Sequence, residues 1–168
     1  MTATSADAAK YLPDEFQDVR AKLAGLQAAF EQKDYNAVIA AAPAVLASAQ
    51  GLAAAAAAKK TEVKRALSAD WSSLAGSLPD EAIALQRRIE LLGKKSSRAT
   101  ARGIDVPAAK TALRNAASLW SKAQAAFASG NLEEAVRTAK GVKTELAAVA
   151  DSVKLKLPQA ALPSPAAN

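Results

Sequence analysis

The chain has neither cysteine nor histidine among its 168 residues. Without cysteine there is no disulfide, no thiolate nucleophile, no zinc–thiolate site and no iron–sulfur cluster. Without histidine the usual general base near neutral pH is missing, as is the commonest metal and haem ligand. Asp, Glu, Lys, Ser and Tyr remain, but they form no catalytic constellation, so a non-enzymatic protein without cofactor or metal is expected. Aromatic residues are scarce, at 4%. The seven glycines form neither GxGxxG nor GxxxxGK, which argues against a nucleotide-binding loop. No window of membrane-spanning length is both uncharged and wholly apolar, so no transmembrane segment is expected. The stretch Met1–Ala9 has no basic end and no apolar centre, unlike a signal peptide. The chain is therefore expected to be cytoplasmic, or periplasmic with its export signal already removed.

What the sequence has in abundance is alanine, at 46 positions, against 34 for Leu, Ile, Val and Phe together. Alanine is the strongest helix former, so the composition predicts an all-α protein whose helices approach closely. Phe16, Val19, Leu23, Leu26 and Phe30 recur at steps of three and four, one apolar seam on a helix opened by Pro13-Asp14-Glu15. Gln32-Lys33-Asp34 reads as a turn, with Asp34 capping a second helix. That helix carries Tyr35, Ile39, Ala42, Val45, Ala49 and Leu52, and then Val63, Leu67, Trp71 and Leu74. It is expected to run from about 35 to 77 with a kink at Pro43. Ser77-Leu78-Pro79-Asp80-Glu81 repeats the opening device and predicts a third helix, ending near Gly93. Asp105-Val106-Pro107 opens a fourth, with Leu113, Ala116, Trp120, Ala123 and Phe127 on its seam. After Ser129-Gly130-Asn131 comes a fifth.

The alternating steps favour near-parallel packing, so the fold class expected is an all-α, elongated bundle of about five helices. One domain, 1–157, would comprise two similar hairpins, 13–60 and 106–157, joined by a central helix pair over 61–96. The proline-rich end, 158–168, reads as a disordered tail. Phe30 and Phe127, beside the two turns, are expected to anchor their hairpins.

The two hairpins align without a gap at an offset of 97: Phe16 falls on Leu113, Leu23 on Trp120, Phe30 on Phe127 and Ile39 on Val136. Gln27-Ala28-Ala29-Phe30 repeats as Gln124-Ala125-Ala126-Phe127. The second turn, Ala126-Phe127 followed by Gly130-Asn131-Leu132-Glu133-Glu134-Ala135-Val136, resembles the inter-helix turn of tetratricopeptide repeats. Phe30 to Ile39 is a looser copy, with Lys33 where glycine is expected. The resemblance covers about a dozen residues in each copy and implies a helical hairpin, not a peptide-binding groove. Over a longer span, Tyr11-Leu12-Pro13, Lys33-Asp34-Tyr35, the alanine run ending Lys59-Lys60 and the segment Trp71 to Pro79 resemble alanine-rich helical proteins that bacteria export. That resemblance implies a mature periplasmic or envelope protein and no activity.

Charge is unevenly spread. Residues 87–114 hold eight basic and two acidic side chains, a net +6 that equals the charge of the whole chain. The basic ones are Arg87, Arg88, Lys94, Lys95, Arg98, Arg102, Lys110 and Arg114, the candidate site for a polyanion such as nucleic acid or acidic lipid. No aromatic interleaves them, which argues against stacking on single strands. Three acidic pairs, Asp14/Glu15, Asp80/Glu81 and Glu133/Glu134, are read as first-turn residues that favour the helix dipole. The function expected is that of a helical scaffold or protein-interaction protein of the bacterial envelope, with a protein partner or self-association, and polyanion binding is the alternative.

Overall fold

The computed structural model describes residues 3–94 and 103–157, with side chains from residue 7 onward within those ranges. Among the described residues it is an all-α protein: α1 (Ala3–Tyr11), α2 (Pro13–Glu31), α3 (Tyr35–Gly93), α4 (Val106–Ala128) and α5 (Leu132–Ser152), with no strand. The chain divides into two compact units, Met1–Arg65 and Ala66–Asn168. The expected tail, 158–168, lies outside the described residues.

The starts of three helices follow their local chemistry. Asp34 accepts the amide of Ala37 at 3.1 Å and so caps α3. Asp105 accepts the amide of Ala108 at 2.9 Å at the start of α4, and Asn131 accepts that of Glu134 at 3.3 Å at the start of α5. Each satisfies an amide that the first helical turn cannot. Pro13 opens α2 at its first turn, and α1, a helix the apolar pattern did not reveal, ends just before Leu12 because a residue preceding proline avoids the helical region.

Two expectations about the central helices are overturned. No new helix begins at Ser77–Glu81, and there is no central helix pair over 61–96: α3 runs unbroken through Pro43 and Pro79 to Gly93. A proline inside a helix costs about 3 kcal/mol, and its signature is the same as at a helix start. Here tertiary packing wins. Trp71, Leu74, Leu78, Leu85, Ile89 and Leu92 form one buried face on both sides of Pro79, and a break there would throw its two halves out of register. Pro79 itself is exposed. Asp80 and Glu81 are accordingly interior helix residues, and Glu81 is buried, whereas Asp14/Glu15 and Glu133/Glu134 occupy first turns as expected.

The second unit has a dense core. Ala109, Ala116 and Ala123 of α4 and Val136, Val142, Leu146 and Val149 of α5 close around the α3 face. At the turn end of α4 a stack of three rings adjoins it. Trp71 lies parallel to Trp120, centroids 5.4 Å apart, and to Phe127, 4.5 Å apart. Trp120 and Phe127 stand two turns apart on α4, an axial rise of ~10.5 Å. That rise matches the two centroid separations laid end to end, so the indole of Trp71 fills the gap between them.

The first unit is thinner. Its buried side chains are Ala8 of α1 and Ala56 of α3, with Phe16, Val19, Leu26, Val45 and Leu52 half-buried between α2 and α3. Lys60 holds α1 through Asp7, Nζ to carboxylate 2.9 Å. That hydrogen bond, reinforced by the charge of Asp7, raises the Lys60 pKa above its ordinary 10.5. A raised lysine pKa means that the Lys60 contribution is present at neutral pH and is lost as pH climbs through the higher folded-state value.

The expectation that both turn phenylalanines anchor their hairpins fails for Phe30. It is 60% exposed and meets Tyr35 edge to face, centroids 5.8 Å apart. Phe127, 47% exposed, keeps one face on Trp71. The anchor is Trp71. Trp71→Ala is expected to cost about 3–5 kcal/mol in chemical denaturation of the second unit, while Phe30→Ala costs the first unit less than about 1 kcal/mol. Comparable losses from the two substitutions would contradict this placement of the core.

Candidate interaction surface

Five of the eight basic residues singled out in the sequence are described: Arg87, Arg88, Lys94, Lys110 and Arg114. Arg88 donates from Nε to the carbonyl of Val153 at 3.3 Å, a partly buried contact that covers the C-terminal end of α5. Arg87, one residue earlier, falls on the face of α3 opposite Leu85 and Ile89 and is exposed. Lys94 is exposed just beyond the end of α3. Lys110 and Arg114 line a groove of about 420 Å³ between α3 and α4, together with Gln86, Ile89, Glu90 and Leu113. Lys95, Arg98 and Arg102 lie outside the described residues. Of the basic side chains described, only two therefore converge, and the carboxylate of Glu90 shares their groove. A second groove, about 580 Å³, runs between α3 and α5 beside Lys140 and Lys143; there the Lys140 ammonium is held by Asp70 at 2.6 Å. Among the described residues no cluster of Asp and Glu is placed to hold a metal ion.

The more telling feature comes from laying one hairpin on the other. The offset of 97 holds atom by atom through the turns. Lys33 N–H donates to Phe30 and Asp34 N–H to Ala29; Gly130 N–H donates to Phe127 and Asn131 N–H to Ala126, all at 2.9–3.0 Å. This is the Schellman arrangement, which needs a left-handed residue after the helix. Glycine supplies it at Gly130, φ +81°, and Lys33 adopts it at φ +62°. The helices begin and end at matched positions, α2 and α4 at Glu31 and Ala128, α3 and α5 at Tyr35 and Leu132. The match stops at the far end. The second hairpin closes α5 with the same arrangement around Lys154, φ +54°, whereas the first continues as α3 through its alanine run.

Matched residues differ sharply in exposure. Val136 is 2% exposed and its counterpart Ile39 is 72% exposed. Trp120 and Leu132 pack against the core of the second unit, while their counterparts Leu23 and Tyr35 are half exposed. In the second unit α3 lies over these positions from Trp71 to Leu92. In the first, α1 is tied at the far end: Asp7 pairs with Lys60, which matches Leu157, near the end where Arg88 meets Val153 in the second unit. α1 has nine residues, about 14 Å, and it leaves the turn end of the groove open. Leu23, Phe30, Tyr35, Ile39 and Leu46 are the large apolar side chains left there.

The sequence pattern reads Leu23, Phe30, Tyr35 and Ile39 as core seam, because spacing alone does not say whether a third helix is present. One signal was available. From Tyr35 to Ala58 there is no charged side chain at all, whereas α5 carries Glu133, Glu134, Arg137, Lys140, Lys143, Glu145 and Asp151 on its solvent faces. By length and composition α3 is long and apolar enough to cross a membrane, over a window of mean hydropathy 1.7 of which none is buried. The requirement for a wholly apolar window passes over it because Pro43, Ser48, Gln50 and Gly51 interrupt the run. Compared with family models, curated proteins and solved structures, the chain matches none.

The contrast between the two neighbouring arginines is directly measurable. Arg88→Ala is expected to cost about 1–2 kcal/mol, the range of a hydrogen bond from a charged donor that is only partly buried, and to speed amide exchange at the end of α5. Arg87→Ala is expected to stay within about 0.5 kcal/mol of the native chain. Equal effects would mean that Arg88 does not cover Val153.

Proposed function

We propose that this chain is a non-enzymatic helical scaffold or protein-interaction protein of the bacterial envelope. The observation that carries this reading is the open face of the first hairpin. Leu23, Tyr35 and Ile39 stay half or more exposed there, whereas their counterparts Trp120, Leu132 and Val136 pack into the core of the second unit. A contiguous exposed apolar patch on a folded domain marks a binding surface more often than it marks nothing. The envelope assignment draws on the resemblance to exported alanine-rich helical proteins. The alternative, polyanion binding, draws less support, since only Lys110 and Arg114 share a groove and Glu90 lies with them.

Affinity capture from the native cell tests the interaction half. The native chain is expected to retain proteins that Ile39→Asp does not, with both chains equally helical by circular dichroism. Identical recoveries would overturn it. Fractionation of a tagged chromosomal copy tests the other half, with recovery in the periplasm or envelope expected; an exclusively cytoplasmic protein would remove the envelope assignment.

A further inference from the structure

We propose that the open face of the first hairpin is covered by the same face of a second copy of this chain, so that two α2/α3 hairpins close into a symmetric four-helix bundle. The proposal rests on the reading of the chain as an interaction protein and names the partner. Three observations carry it. The exposed Leu23, Tyr35 and Ile39 coincide with Trp120, Leu132 and Val136 of the second hairpin, which pack into a core closed by a helix, and Phe30 coincides with Phe127, which lays one ring face on Trp71 of that helix. The surface is therefore shaped for helices.

The second observation is electrostatic. The α3 side of the face has no charged residue from Tyr35 to Ala58. A two-fold contact sets a residue on its axis against its own copy, where a charge would meet a like charge; this strip has none to bring there and none to desolvate. At the matched edge the second hairpin has Lys143, next to Asp70 and Lys140, where the first has Leu46. The charged rim of a finished surface is replaced there by an apolar one.

The third is area. Five large side chains, each half or more exposed, present about 100 Å² apiece, or about 500 Å² per copy before the alanines between them are counted. A stable interface buries ~800 Å² per partner. The alanine-lined flank of α3 supplies the difference, and its small side chains let the paired helices come close.

Sedimentation equilibrium of the full chain over a concentration series decides the matter. A monomer–dimer equilibrium is expected. Leu23→Asp should weaken it at least about tenfold, the factor carried by 1.4 kcal/mol. Leu46→Lys should do the same; it installs the residue that the matched position already carries, so the hairpin tolerates it, and unchanged circular dichroism verifies the fold. A chain that stays monomeric at every concentration overturns the proposal while leaving the interaction reading to its own capture experiment. A dimer that neither variant weakens overturns it too, since the contact would then lie elsewhere. Flotation of a monomeric chain with phosphatidylcholine–phosphatidylglycerol vesicles, abolished by Leu46→Lys, would overturn it in favour of a lipid surface.

Discussion

The second unit is organised by one steric constraint: two rings two turns apart on α4 leave a gap, and the indole of Trp71 fills it. In an alanine-rich protein most helix–helix contacts are many and individually small. A single large side chain locked between two others then sets the register for everything beside it. With Trp71 fixed, Leu74, Leu78, Leu85, Ile89 and Leu92 follow along one face of α3. That continuous face explains why Pro79 is carried inside a helix instead of ending one. The same hairpin without such a side chain laid across it is the first unit, where the seam stays partly open.

Much of the architecture was legible in the sequence because it is local. Asp34, Asp105 and Asn131 cap the helices that their positions predicted. The offset of 97 between the hairpins reappears as matched hydrogen bonds in the turns, even where Lys33 replaces glycine. What escaped is non-local. Pro79-Asp80-Glu81 carries the chemistry of a helix start, and only the packing of Leu78 and Leu85 on distant helices decides otherwise. α1 escaped because it is short and its tie to α3 is the distant pair of Asp7 with Lys60.

The candidate site was legible only in part, for a related reason. A charge count along the chain locates Arg87, Arg88, Lys110 and Arg114 in one segment but says nothing of direction. Helical geometry turns Arg88 toward Val153, points Arg87 away from the core and puts Lys110 and Arg114 in a groove with Glu90. Conversely, the periodic residues Leu23, Phe30 and Ile39 were legible as a seam, though not as one lacking its third helix. The absence of charge from Tyr35 to Ala58 was the available clue, since a helix with one solvent face normally marks that face with charge.

The two hairpins differ most sharply at one pair of matched positions, Ile39 and Val136. The native chain lacks cysteine, so single thiols placed there by Ile39→Cys and Val136→Cys report on those sites alone. In solution dilute enough to suppress association, alkylation at position 39 is predicted to approach the rate of a free thiol, with position 136 slower by orders of magnitude. Equal rates at the two positions would contradict the claim that one hairpin is covered and the other open.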